Sequence, residues 1–342
     1  MLMGDGPFMA KTSVEVPSLQ KVYESFFNIG AAVNLRTIKT QQNLLAKHFN
    51  SITVENDMKF ELLQPEEGKF TFERADKMAA FAQSHGMKMR GHTLVWHNQT
   101  PDWVFQNSDG EKVTRDQLLQ RMKDHMTTVM ERYKGQIYCW DVVNEAVTDE
   151  GPELYITTNW LDIIGEDYIE KAFEFAHEAD PEALLFYNDY NESNPGKREK
   201  IYQLVKSLVE KGVPIHGVGL QGHWNLTNPG LDEIRAAIER YASLGLKLQL
   251  TELDVSVFEF EDKRTDLTEP TGEMIERQTQ RYKQIFALLR EYRDVITAVT
   301  FWGVADDYTW LSDFPVRGRK NWPFLFDENH QPKEAFWKVI SF

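Results

Sequence analysis

The sequence predicts a single (β/α)8 barrel, and three observations carry that prediction. Eight short β-like runs alternate with amphipathic helical stretches, which implies parallel strands. Polar and aromatic residues gather at the ends of those runs, where a barrel forms its catalytic face. The chain has 342 residues and no Pro/Ser/Thr-rich linker, low-complexity tract or internal repeat to divide it. The competing architecture is an open doubly wound sheet, but eight consecutive units close more naturally into a barrel.

The strands are expected at Asn28–Asn34, Ser51–Asn56, Met87–Trp96, Cys139–Glu145, Leu184–Asn191, Gly217–Trp224, Lys247–Val255 and Ala298–Asp306. They begin apolar and end otherwise, as in Val54-Glu55-Asn56, Gly91-His92-Thr93, Val143-Asn144-Glu145, Leu220-Gln221-Gly222-His223-Trp224 and Thr251-Glu252-Leu253-Asp254. Helices fall between them, at Arg115–Tyr133, Lys197–Lys211, Leu231–Leu244 and Glu273–Arg293. In the last, Met274, Tyr282, Ile285, Phe286 and Leu289 form an apolar stripe at helical spacing. Longer connections follow the fourth, seventh and eighth strands, at Ala146–Trp160, Phe258–Gly272 and Asp307–Pro323. Polar strand ends and elaborate loops therefore share one face, the pattern of an enzyme or a sugar-binding barrel. Residues 18–342 are expected to form this domain, with residues 1–17 a poorly ordered tail.

Charge narrows the partners. With 53 acidic against 38 basic residues the chain carries −15 at pH 7, so it repels polyanions and nucleic acid is excluded as a partner. No apolar run approaches the roughly 18 residues of a membrane helix. One cysteine, Cys139, leaves no intrachain disulfide. Met1–Phe8 has neither the basic start nor the apolar run of a signal peptide, and a cytoplasmic protein is expected. Nothing in the sequence speaks to oligomeric state.

Two carboxylates stand out because each ends an apolar strand: Glu145 after Trp140-Asp141-Val142-Val143-Asn144, and Glu252 after Leu248-Gln249-Leu250-Thr251. A carboxylate there is costly unless paired or hydrogen-bonded. One alone reads best as a strand-end Glu satisfied by a lysine. Two, on strands four and seven, can face each other across a barrel mouth, as glycosidic cleavage requires. Glu252 and Asp254 are two apart and share a face, and Gln221 and His223 repeat the arrangement on the adjacent strand. A His between two carboxylates can orient one and keep it ionised. Asn144 is placed to donate to a sugar hydroxyl.

His92 and His97 raise the alternative of a metal, but their separation puts them on opposite faces of a regular strand, and no His-x-His ends the first strand. No metal and no cofactor is expected. His92 reads equally as a satisfied strand-end histidine or a substrate contact. Trp302 and Trp310, at and after the eighth strand, can stack on sugar rings, and Tyr190 can do so on the leaving-group side.

The chain resembles glycoside hydrolase family 10 from about Ser18 to Phe342. The motifs that carry the resemblance are Thr53-Val54-Glu55-Asn56-Asp57-Met58-Lys59, Gly91-His92-Thr93-Leu94-Val95-Trp96-His97, Trp140-Asp141-Val142-Val143-Asn144-Glu145-Ala146, Asn188-Asp189-Tyr190-Asn191 and Thr251-Glu252-Leu253-Asp254-Val255. The resemblance implies a retaining endo-β-1,4-xylanase, with Glu145 as acid/base and Glu252 as nucleophile. It also implies that Glu55, Asn56, Lys59, His92, Trp96, Asn144, Gln221, His223, Trp302 and Trp310 line the glycone subsites, and that the partner is xylan or xylo-oligosaccharide. It further suggests an intracellular subgroup acting on short imported fragments. The sequence departs from the family pattern at Gln221-Gly222-His223, where many relatives carry a bulkier central residue. A silent sugar-binding barrel, a retaining β-glucanase and an exo-acting glycosidase are the rival readings. Under the main one Glu145 must start protonated, its pKa raised by Glu252, while Glu252 stays ionised beside His223 and Asp254.

Overall fold

The structure is a computed structural model that describes residues 14–342. Most of the segment expected as a tail lies outside the described residues. Eight parallel strands close a barrel: β1 (Asn28–Val33), β2 (Ser51–Val54), β3 (Lys88–Val95), β4 (Ile137–Asn144), β5 (Leu184–Asp189), β6 (Gly217–Leu220, resumed as His223–Asn225), β7 (Lys247–Ser256) and β8 (Ile296–Phe301). Each pairs with its neighbour in sequence, and Asn28–Ala31 of β1 pairs with Ala298–Phe301 of β8 to close the ring. The principal helix of each unit follows its strand: α1 (Gln42–His48), α2 (Glu73–Ser84), α3 (Arg115–Arg132), α4 (Tyr168–Ala179), α5 (Pro195–Glu210), α6 (Leu231–Ala242), α7 (Gly272–Glu291) and α8 (Glu334–Val339).

Local chemistry sets the helix starts. Thr114 and Gln117 form a reciprocal capping box on α3, and the Asn194 side chain accepts from the amides of Gly196 and Lys197, with Pro195 in the first turn of α5. The apolar stripe of α7 is buried at all five positions named from the sequence, so it seals that helix to the barrel.

Strand ends are where expectation and structure part. β6 is interrupted at Gln221-Gly222, where Gly222 takes φ +75°, a conformation that periodicity does not reveal. Asn191 (φ +51°) lies past the end of β5, and Glu145 (φ +58°) just past β4. β8 stops at Phe301, short of Asp306, because the chain turns at Gly303, where an added Cβ would lie 2.5 Å from the Phe324 ring.

Inside the barrel, beneath the catalytic rim, sits a charged layer. Arg90 grips Asp141 with two bonds of 2.7 and 3.1 Å and donates to Gln249 Oε1 at 2.6 Å, all three residues being fully buried. Among the described residues no helix is long and apolar enough to cross a membrane. At the outer wall, the Tyr23 hydroxyl donates to the Val339 carbonyl at 2.6 Å, and the Tyr23 ring packs on Phe27, Phe286 and Phe342. The N-terminal and C-terminal stretches of the described chain are thus clasped together.

Candidate active site

Glu252 stands within β7 and is 5% exposed. Its Oε1 meets His223 Nε2 at 3.0 Å and its Oε2 accepts from Asn188 Nδ2 at 2.9 Å. His223 Nδ1 in turn meets Asp254 Oδ1 at 2.9 Å, and Asp254 Oδ2 accepts from the Trp310 indole at 2.9 Å. Burial alone would lower the His223 pKa, but the Asp254 charge and hydrogen bond and the Glu252 contact carry it well above its ordinary value. Both ring nitrogens then donate. Burial would likewise raise the Glu252 pKa; the His223 hydrogen bond, the nearby His92 and His223 and the Asn188 donor overturn it, and the carboxyl titrates below the usual range.

Glu145 follows β4 rather than lying in it. Its amide donates to the Asn188 carbonyl at 2.9 Å, which ties the left-handed residue to β5. Its Oε2 accepts from Asn144 Nδ2 at 2.7 Å and Gln221 Nε2 at 3.1 Å. The surrounding protein withdraws water from this carboxyl and pushes its pKa up to about 7; burial is the main cause, followed by the charges of Asp189 and then Glu252. The sequence points to Glu252 alone, because the order of these influences depends on distances that a sequence does not contain.

The two carboxylates are joined by one side chain that the sequence did not single out. Asn188 Nδ2 donates both to Glu252 Oε2 and to Asn144 Oδ1, each at 2.9 Å, while Thr251 donates to Asn188 Oδ1 at 2.6 Å. Asn144 then reaches Glu145. Asn188 lies in the Asn188-Asp189-Tyr190-Asn191 motif, which was the available signal.

The other named residues surround this pair. Glu55 Oε1 accepts from Asn56 at 2.9 Å and from the Tyr308 hydroxyl at 2.7 Å. Lys59 donates to Asn56 at 2.8 Å and Gln99 at 3.0 Å, 5.0 Å from the Trp96 ring centroid. Its pKa is lowered by burial against the pull of Glu252, Glu55 and Glu145, so all three acids act on one ammonium. Tyr308 and Gln99 were not foreseen. Tyr308 stands two residues before Trp310, whereas nothing in the sequence marks Gln99.

His92 Nδ1 meets Asp141 Oδ2 at 2.8 Å, which anchors it to the charged layer. Trp302, 5% exposed, is set edge-on to both His92 and His223. The Trp310 ring stacks on Phe314 with centroids 4.9 Å apart. Tyr190 donates to Asp149 at 2.5 Å, and Lys197 Nζ lies 3.5 Å from its ring centroid. Trp310 and Tyr190 thus each have one ring face already covered. His97 stands apart from His92, beside a cavity of about 490 Å³ with Lys112, Thr158 and Asp162. Among the described residues no group of three or more His, Cys, Asp or Glu is arranged to hold a metal ion.

The sequence profile of glycosyl hydrolase family 10 matches residues 18–342. An endo-1,4-beta-xylanase of Geobacillus stearothermophilus is 65% identical over 95% of this chain and 98% of its own length. The crystal structure of xylanase XynB from Paenibacillus barcinonensis, complexed with a conduramine derivative, superposes with a TM-score of 0.95 at 59% identity, covering 96% of this chain and 99% of that one. An endo-1,4-beta-xylanase from Caldicellulosiruptor owensensis gives 0.94 at 53% identity, over 96% and 100% of the two chains.

Proposed function

The chain belongs to glycosyl hydrolase family 10, and from that membership we propose an endo-1,4-β-xylanase that cleaves internal bonds of xylan fragments and xylo-oligosaccharides with retention, Glu145 serving as acid/base and Glu252 as nucleophile. One observation supports the assignment of roles: two carboxyls, one just past β4 and one within β7, have their pKa values driven in opposite directions, Glu145 up to about 7 and Glu252 below its ordinary value. Two carboxylates pushed apart in this way divide acid from nucleophile.

In the first step Glu252 Oε attacks the anomeric carbon as the bond to the glycosidic oxygen breaks, and the Glu145 proton passes to that oxygen. The leaving sugar departs as an alcohol and a glycosyl ester remains on Glu252. Esterification removes one of the negative charges that hold up the Glu145 pKa, and Glu145, now a carboxylate, takes a proton from water. The water oxygen attacks the same carbon and expels the Glu252 carboxylate, so two inversions give net retention. The donors on Glu252, His223 and Asn188, receive the carboxylate back as the ester breaks. Around the sugar, Glu55, Asn56, Lys59, His92, Trp96, Gln221, Trp302 and Trp310 would bind the glycone and Tyr190 the leaving side.

Leaving-group dependence tests the roles. Glu252→Ala should abolish turnover of every glycoside. Glu145→Ala should cripple xylan hydrolysis yet spare the first step for an aryl glycoside whose phenol needs no proton, so that a burst of phenol precedes slow turnover. NMR should show the β-anomer forming first. Inversion, or equal loss of good and poor leaving groups, would sink the assignment. Action in the cytoplasm belongs to the same proposal, and activity found mainly in the culture medium would overturn it.

A further inference from the structure

A buried ionic cluster adjoins Glu145 that neither chemical step uses. Lys197, at the start of α5, is fully buried, and Asp189, at the end of β5, is 1% exposed. Lys197 Nζ lies 2.9 Å from Asp189 Oδ1 and 3.0 Å from Asp149 Oδ1. The Tyr190 amide donates to Asp189 Oδ1 at 2.9 Å, and the Tyr187 hydroxyl donates to Asp189 Oδ2 at 2.5 Å. The same hydroxyl accepts from the Ala146 amide at 3.0 Å. A buried ion pair contributes little stability over an apolar replacement, so its place beside the acid calls for another account.

Two routes lead from Asp189 to Glu145. One is structural: Asp189 fixes the Tyr187 hydroxyl, which holds the Ala146 amide, next to the residue at φ +58°. The other is the charge of Asp189 itself. We propose that Asp189 is a positioning residue for Glu145, acting through Tyr187 and through its own negative charge, and that Lys197 sets how much of that charge Glu145 feels. The inference rests on Glu145 being the acid/base.

The charges around Glu145 agree with it. Asp189 and Tyr190 approach from β5, Lys197 from α5, Glu252 from β7 and Lys59 from beyond β2. After burial, Asp189 raises the Glu145 pKa most, ahead of Glu252, and Lys197 opposes it. Tyr168 of α4 and Tyr241 of α6, both held uncharged by burial, also lie near Asp189, and the Tyr241 hydroxyl donates to the Glu192 carbonyl. The difference between the two acids lies in time. Burial raises the Asp189 pKa, while Lys197, the Tyr187 hydroxyl and the Tyr190 amide favour its ionised form. Glu252 loses its charge as an ester, whereas neither step makes a bond to Asp189. It therefore maintains base strength at Glu145 when water must be deprotonated.

The test is the alkaline limb of kcat/KM on xylo-oligosaccharides, measured with the full chain, beside a 13C NMR titration of the Glu145 carboxyl assigned with Glu145→Gln. Asp189→Asn should move both to lower pH by about one unit, and Lys197→Met should move them to higher pH. If Lys197→Met does not fold, Asp189→Asn/Lys197→Met should still titrate above Asp189→Asn alone. A purely structural cluster would lower kcat at every pH and leave the limb in place. An unmoved limb in folded Asp189→Asn, or a double variant at or below the single one, overturns the proposal. A Glu145 titration that does not coincide with the wild-type limb would instead sink the acid/base reading beneath it.

Discussion

Raising the pH ionises both carboxyls, with opposite consequences for activity. Glu145 must be protonated to act, so kcat/KM should fall as pH rises through about 7. Glu252 must be ionised, so the acid limb should lie below the ordinary glutamate value. Stability follows the same logic. A raised folded-state pKa means that the unfolded chain ionises first, so Glu145 costs nothing below its ordinary value of 4.5 and its full penalty above about 7. That penalty is about 3.5 kcal/mol at about 1.4 kcal/mol per unit. Glu145→Gln should therefore unfold at higher denaturant than wild type at alkaline pH and show no such gain at acid pH. A gain independent of pH would contradict the raised pKa. At this scale the sequence exposed Glu145, Glu252 and the His223–Asp254 support, because charged residues closing apolar strands violate the expected pattern. It did not expose Asn188 or Gln99, whose residue types are ordinary and whose importance lies in which two groups they touch.

The break in β6 brings backbone and chemistry together. Alternation in the sequence describes one strand from Gly217 to Trp224, and it places Gln221 and His223 on one face. The structure interrupts that strand at Gly222 (φ +75°), whose amide donates to Glu192 Oε1 at 2.6 Å. The Gly222 to Leu250 approach leaves a Cβ only 3.2 Å from that side chain. On either side of the kink, Gln221 reaches Glu145 and His223 reaches Glu252, so a single turn serves both carboxylates. Gly222→Ala should cost about 1–2 kcal/mol for the left-handed backbone, read as a lower Tm. It should also lower kcat, because both hydrogen bonds depend on the turn. A variant with unchanged Tm and kcat would show that the kink is incidental. Strand boundaries were the least legible elements for this reason: dihedral breaks at Gly222 and Glu145 leave apolar periodicity intact.

Over the whole molecule the barrel was readable because its parallel strands are buried on both sides and appear as apolar runs. Their order needed no further information, since every strand pairs with its neighbour in sequence. What stayed hidden was the interior Arg90–Asp141–Gln249 layer, because a charged residue inside a strand looks solvent-facing until the ring closes around it. The clasp of Tyr23 on Val339 and Phe342 has a topological consequence. The clasped stretches of the described residues can be spliced, and the chain can then begin anywhere a turn is dispensable. Gly135, in the turn between α3 and β4 at the face opposite the carboxylates, has φ +82° and no heavy atom within 4 Å of its would-be Cβ. A circular permutant joined across the clasp and opened at Gly135 should fold and hydrolyse xylo-oligosaccharides at close to the parent rate. One that folds yet loses activity would mean that the order in which the units leave the ribosome, and not only their final neighbours, shapes the catalytic mouth.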